Sequence, residues 1–341
     1  MERHACRLDS RTVSDTIRPA RVVSLRRFRL PHHVYRPTLG ATGNFRKRGH
    51  TAMCRLFGLT AAPHRVHATF WLLDASDSLA RQSRREPDGT GLGTFADDGR
   101  PVVEKQPLAA YEDRAFATEA KERRSRTFVA HIRFASTGGL DVGNTHPFEQ
   151  RGRLFAHNGV LGDLPRLEAE LGPYRDLVAG ETDSERFFAL VTRRIDEHGG
   201  DVGAGLTAAV RWAAGNLPVY ALNVVLTTAT ELWALRYPDT HDLFVLERPA
   251  GGPHGGRHLE HASEAGTVRV RSGHLARQPA VVVASERMDE EPGWSDLRCG
   301  ELLHVDGGLR VTRTVVVDEP PRHPITLADL DERAAASQTG K

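Results

Sequence analysis

The sequence predicts an α+β domain built of packed layers, and three observations carry that prediction. Strand-sized apolar runs fall into two groups, one before and one after a central block with helical periodicity. Hydrophobic residues make up 39% of the 341, enough for a sizeable core. The longest apolar runs, residues 220–226 and 279–284, have strand length, far short of the ~20 residues of a membrane helix.

The elements follow in order. Residues 54–60 read as a buried strand. Residues 66–80 read as a helix, with Phe70, Leu72, Leu73 and Leu79 among its apolar positions. Residues 87–91, Pro-Asp-Gly-Thr-Gly, read as a turn. Residues 92–96 and 102–105 form a hairpin around Asp97-Asp98-Gly99. A charged helix is expected over 113–124, a strand over 127–134 and a strand over 154–157 ending at Asn158-Gly159. Three helices follow, over 164–171, over 183–197 capped by Thr182 or Asp183, and over 202–214. The remaining pattern is β, over 220–227, 231–236, 243–247, 280–285, 301–305 and 310–316. Residues 1–53 read as a leader, 54–318 as the domain, 251–266 as an exposed insertion and 319–341 as a tail.

Charge is divided unevenly. Residues 1–52 hold 12 basic and 3 acidic residues, and the remainder holds 34 and 41. The basic excess lies in a patternless stretch, so the domain offers no electrostatic case for nucleic acid. The cysteines Cys6, Cys54 and Cys299 make no disulfide framework. A free thiol suits a reducing compartment, and without a secretory h-region the protein is expected in the cytoplasm.

The most informative residues are Met53-Cys54. A cysteine after methionine can become N-terminal, and its own α-amine can then take the thiol's proton. Downstream come His131-Ile132-Arg133, Asn144-Thr145-His146-Pro147-Phe148, Ala156-His157-Asn158-Gly159 and Gly180-Glu181-Thr182-Asp183-Ser184-Glu185. This ordered set resembles the class II glutamine amidotransferases, which are N-terminal-nucleophile hydrolases. The resemblance runs from Cys54 to about Asp318. It is nearest to stand-alone members such as the γ-glutamyl amidohydrolase of ergothioneine biosynthesis, whose late segment resembles residues 284–289 and Trp294.

The resemblance implies the four-layer αββα sandwich of that class and a cysteine amidohydrolase acting on glutamine or a γ-glutamyl conjugate through a thioester. Cys54 is the nucleophile it implies, with Asn158 and Gly159 as oxyanion donors. An Asn-Gly turn is the plain alternative for that pair. Arg133 would grip the substrate α-carboxylate and Asp183 its α-ammonium; a structural ion pair and a helix cap are the alternatives. Ser136 is a further substrate contact. Thr137 and Phe134 replace a histidine and a tryptophan of the synthase relatives, and Thr90 replaces an aromatic residue in the segment 87–91. His146 is expected to support the site and His157 to pack. His254, His258 and His261 have a spacing that could hold a metal, but their glycine-rich loop reads as solvated, and no metal or other cofactor is expected.

If Cys54 is to be N-terminal, residues 1–53 must be absent from the working enzyme. A start at Met53 is the favoured reading, with a propeptide and a targeting segment as alternatives. An amidotransferase of this length would need a separate synthase subunit as partner; an amidohydrolase would not. A non-catalytic scaffold that keeps the fold is the rival from another class.

Overall fold

The computed structural model describes residues 54–85, 87–134, 139–251, 260–262, 269–271 and 277–339. The leader, Ser136, Thr137, His254 and His258 lie outside the described residues.

The chain begins with β1 (Arg55–Thr60), a π-helical turn Phe70–Asp74, α1 (Leu79–Gln82), β2 (Gly89–Phe95), β3 (Pro101–Gln106), α2 (Arg114–Glu122) and β4 (Thr127–Arg133). It continues with β5 (Phe148–Gln150), β6 (Arg153–Leu161), α3 (Leu164–Leu171), α4 (Asp183–Glu197), α5 (Val202–Asn216), β7 (Pro218–Thr227), β8 (Leu232–Arg236) and β9 (Phe244–Arg248). Last come β10 (Glu260–Ala262), β11 (Arg269–Arg271), β12 (Ala280–Ala284), β13 (Trp294–Asp296), β14 (Glu301–Val305), β15 (Val311–Val315), β16 (His323–Pro324) and α6 (Glu332–Thr339).

Two antiparallel sheets face each other. The first runs β13-β9-β12-β1-β4-β2-β3 and the second β15-β14-β8-β7-β6-β5, with β16 added in parallel beside the start of β7. Leu56, Val129, Val281 and Val283 of the first sheet meet Leu154, Ala156, Val225 and Leu303 of the second. The alternate residues Phe57, Leu59, Phe128 and Ile132 turn outward onto the π-turn, α1 and α2. Phe155, Leu222, Val224 and Leu226 turn outward onto α3, α4 and α5. This is the four-layer αββα arrangement. Sheets covered on both faces need apolar residues at every position, which is why β1 and β4 are near-continuous apolar runs. Among the described residues no helix is long and apolar enough to cross a membrane.

Four expectations are corrected. Residues 66–80 do not form one helix. Only Phe70–Asp74 and Leu79–Gln82 are helical, and Ser side chains between them and the Gln82 amide bond the backbone instead. Ser78 Oγ donates to the Leu73 carbonyl at 3.0 Å, and Gln82 Nε2 donates to the Asp77 carbonyl at 2.8 Å. The strand expected to end at Asn158-Gly159 runs through both residues to Leu161, so the pair is no turn. Likewise Gly89, Thr90 and Gly91 belong to β2. A Cβ on Gly91 would lie 2.0 Å from the His146 carbonyl oxygen, so this position brings two backbones together. In the expected tail, the described residues up to 339 pack on the domain: β16 pairs with β7 and α6 buries Ala334, Ser337 and Gln338.

Candidate active site

Strand parity assembles the site. Side chains two apart share a face. Cys54 therefore shares the inter-sheet face of Leu56, Arg133 that of Val129, and Asn158 that of Leu154 and Ala156. β1 and β4 pair with Arg55 opposite Ile132, so Cys54 comes up beside the end of β4. The Phe134 N–H points at Cys54 Sγ at 3.3 Å, and the thiol points at the Phe134 carbonyl at 3.4 Å. From the other sheet, Asn158 Nδ2 donates to the Cys54 carbonyl oxygen at 2.7 Å. Its Oδ1 is buried and has no hydrogen-bond partner among the described residues.

Gly159 has φ +156°, and a Cβ there would lie 1.8 Å from the Ala221 carbonyl oxygen. Only glycine lets β6 and β7 approach so closely, and the register shifts just beyond, between Val160 and Leu161. His157 braces the same carbonyl. Its Nε2 lies 3.3 Å from Ala221 O and its Nδ1 2.9 Å from Ser184 Oγ. A carbonyl only accepts, so Nε2 carries the hydrogen and Nδ1 accepts from the hydroxyl. Burial lowers the His157 pKa, with the nearby Asp183 charge opposing, so the ring is a neutral brace.

Arg133 is buried, and its Nη1 donates to the Gly139 carbonyl at 3.0 Å. Burial pulls its pKa down, while Cys54, Asp88 and Asp183 hold it up. Asp183 is also buried, as the first residue of α4, but Thr182 is the cap: its side chain accepts from Glu185 N–H at 3.2 Å. Asp183 Oδ2 instead accepts the Leu161 N–H at 2.9 Å, tying α4 to the strand that carries Asn158 and Gly159. His146 packs among rings. It is buried with its ring centroid 4.2 Å from that of His131 and 4.6 Å from that of Phe148, so it packs beneath β4. Desolvation holds its pKa well below the ordinary value and takes His131 down to about 3.

The loops that follow Arg133 and precede Asp183 are stitched together by groups the sequence reading did not single out. Asn144 Oδ1 accepts the Glu181 N–H at 2.8 Å, and Asn144 Nδ2 reaches the Gly139 carbonyl at 3.3 Å and Glu181 Oε2 at 3.4 Å. Glu185 accepts from Ala179 N–H at 3.2 Å and Gly180 N–H at 2.6 Å. Asn144, Glu181 and Glu185 all sit within the motifs quoted above, and that clustering was the available signal. On the far side of Cys54, the buried Arg55 pairs with Glu286 at 2.7 Å, and Ser285 Oγ accepts the Leu56 N–H at 2.9 Å. Among the described residues no cluster of His, Cys, Asp and Glu could hold a metal ion.

Cys54, at the tip of a central strand and faced by an asparagine amide from the opposing sheet, lies in an αββα sandwich of the N-terminal-nucleophile hydrolase type. Within that type, the family model for class-II glutamine amidotransferases matches residues 53–327, and the chain belongs to that family; it is an enzyme. The γ-glutamyl-hercynylcysteine sulfoxide hydrolase of Mycolicibacterium smegmatis is 29% identical over 266 residues, covering 74% of this chain and 96% of the relative. A probable glutamine amidotransferase of Saccharomyces cerevisiae is 31% identical over 139 residues, covering 37% of this chain and 39% of the relative. The solved glutamine phosphoribosylpyrophosphate amidotransferase of B. subtilis has the same fold. It matches with a TM-score of 0.54 at 17% identity, covering 78% of this chain and 50% of that one.

Proposed function

We propose that the chain, once the residues before Cys54 are removed, is a cysteine amidohydrolase that cleaves the γ-amide of a γ-glutamyl compound through a thioester. The observation that carries this reading is the 2.7 Å contact of the Asn158 amide with Cys54, made across the two sheets. It holds the asparagine that would donate to a developing oxyanion against the backbone of the nucleophile residue.

The Cys54 thiol passes its proton to its own α-amine and attacks the γ-carbonyl carbon. Asn158 and the Gly159 N–H steady the oxyanion. The C–N bond breaks, the leaving nitrogen takes the proton and a thioester remains. Water activated by the same amine then releases glutamate and restores the thiol. Arg133 and Asp183 grip the α-carboxylate and α-ammonium, a pair of charges that only a free amino-acid end presents. Ser136 is a further contact in this reading, and His146 supports the wall. In the whole chain the Cys54 nitrogen is a peptide nitrogen joined to Met53 and is no base. A thiol nucleophile fits a reducing compartment, which supports the cytoplasm as its location.

The hydrolase relative favours a γ-glutamyl conjugate as substrate, since it matches over nearly its whole length. The solved amidotransferase favours a second reading, ammonia delivery to a separate synthase subunit, since this chain covers half of it. The test is glutamate release from glutamine and from γ-glutamyl amides, with the intact mass of the active species. Active protein of mass beginning at Cys54 is expected. Full activity with residues 1–53 still attached would sink the mechanism.

A further inference from the structure

Residues 145–147 cross the first sheet where β2 and β3 pair. Gly91 makes the crossing possible. A Cβ on it would lie 2.0 Å from the His146 carbonyl oxygen, so a bare backbone is what lets that carbonyl settle there. Gly91 is the cross-strand partner of Lys105 in β3, and residues directly opposite each other share a face. Lys105 therefore stands beside the crossing. Its Nζ donates to the Thr145 carbonyl oxygen at 2.8 Å and lies 5.1 Å from the centroid of the Phe148 ring. Thr145 is buried, so its carbonyl needs a donor from within the protein. A lysine on an edge strand commonly points to water and deters pairing. This one, on the edge strand β3, is half-buried and turned onto a backbone carbonyl.

The crossing adjoins the substrate grip. Thr145 follows Asn144, whose Nδ2 reaches the Gly139 carbonyl at 3.3 Å, and Arg133 Nη1 donates to that same carbonyl at 3.0 Å. Asn144 Oδ1 accepts the Glu181 N–H at 2.8 Å, two residues before Asp183. A shift of the Thr145 backbone is thus a shift of the residue from which both loops are held. Asp141, Glu181 and Glu185 bring carboxylates to this knot, and Lys105 brings it a cation. Burial lowers the Lys105 pKa, and the charges of Glu185 and Asp141 oppose that.

We propose that Lys105 is a positioning residue for the γ-glutamyl end: it pins the Thr145 crossing and, through Asn144 and Gly139, holds Arg133 where it meets the α-carboxylate. This rests on the amidohydrolase reading above and adds to it a residue outside the motifs that carry the grip.

The experiment uses Lys105→Met, which keeps the stem and removes the charge and the donor, and Lys105→Arg, which keeps both. Glutamate release is followed from glutamine or γ-glutamylethylamide, whichever wild type cleaves. Lys105→Met should raise KM several-fold with kcat nearly kept, and Lys105→Arg should recover most of the loss. A lysine that served only the fold would lower the share of active enzyme, cutting kcat and leaving KM alone; that result overturns the proposal. In an Arg133→Ala background, Lys105→Met should cost little further in kcat/KM, because its effect runs through Arg133. An equal penalty in both backgrounds overturns it as well. If wild type cleaves neither compound, the amidohydrolase reading fails, and amide hydrogen exchange of wild type and Lys105→Met then judges the pin by itself. Faster exchange over 139–146 and 179–182, with 55–60 and 153–161 unchanged, upholds it. Unchanged exchange over 139–146 overturns it.

Discussion

Cys54 and Asn158 are positioned by strand registers, whereas Arg133, at the end of β4, and Asp183, at the start of α4, border loops that side chains stitch together. Cys54 leads straight into β1, a central strand paired on both sides, and Asn158 lies inside β6, paired with β7. Their separation is set by two sheet registers and the packing between them. Arg133 leans on Gly139, and Gly139 is held through Asn144 and Glu181. Ladder hydrogen bonds act together, while the stitched loops rest on a few individual contacts. The difference teaches where sensitivity should lie. Damage to the strand side should appear in kcat, and damage to the loop side mainly in KM.

The largest effect should come from Cys54→Ala, which removes one sulfur atom and should abolish glutamate release while leaving the thermal unfolding midpoint nearly unchanged. Substantial residual activity would contradict the assignment. Asn158→Ala comes next. Losing an oxyanion donor lowers kcat by roughly 100-fold or more, and steady-state kinetics should show KM little moved. On the loop side, Arg133→Ala should chiefly raise KM, with a smaller loss in kcat from a misplaced scissile bond.

Asp183 breaks the comparison, because it serves both sides. It holds the Leu161 N–H at 2.9 Å beside Gly159, so Asp183→Ala should lower kcat as well as raise KM. Asp183→Asn keeps an acceptor and removes the charge, so it should raise KM with less loss of kcat. If the asparagine variant still discriminates against a substrate lacking the α-amine as strongly as wild type does, Asp183 is only a tether. Asn144→Ala sharpens the comparison with a smaller effect. It touches no substrate in the proposed arrangement, so a several-fold rise in KM with kcat nearly kept is expected from looser placement of Gly139.

The smallest effect near neutral pH concerns the buried histidines beneath both sides. His131 is held down to about 3, first by burial and then by the Arg133 charge; burial also lowers His146 and His157. An unfolded histidine titrates near 6.5. Between those values the unfolded chain binds more protons, so folding stability rises with pH and is lost as pH falls below about 6.5 toward 3. Each fully neutral histidine contributes a slope of up to about 1.4 kcal/mol per pH unit. Urea unfolding midpoints at pH 7, 6 and 5 should fall progressively. A flat series would mean the rings are not held neutral.

Legibility differed between the two helical layers as well. The helices over 183–197 and 202–214 were readable from their spacing, the first with Thr182 or Asp183 as its cap, and the structure adds Asp201 as the cap of the second. Residues 66–80 misled because Phe70-Trp71-Leu72-Leu73 is apolar without period, and a run buried on several sides carries no helical signature. The breakers Asp74, Ser76, Asp77 and Ser78 were the overlooked sign. Asn158-Gly159 misled in the same way: local chemistry allows a turn, and only the pairing with β7 makes it strand.

The sequence by itself, through its resemblance to the family, nominated Cys54 as nucleophile, Asn158 and Gly159 as oxyanion donors and Arg133 and Asp183 as the grip, because ordered motifs are a matter of residue type and order. The tertiary structure decided what depends on residues far apart in the chain. It brought Asn158 onto Cys54 across 104 positions, joined Asn144 to Glu181 across 37 and returned Gln338 to His241 across 97. Such contacts form because burying both faces of two sheets brings their ends together, and no periodicity within one segment records that.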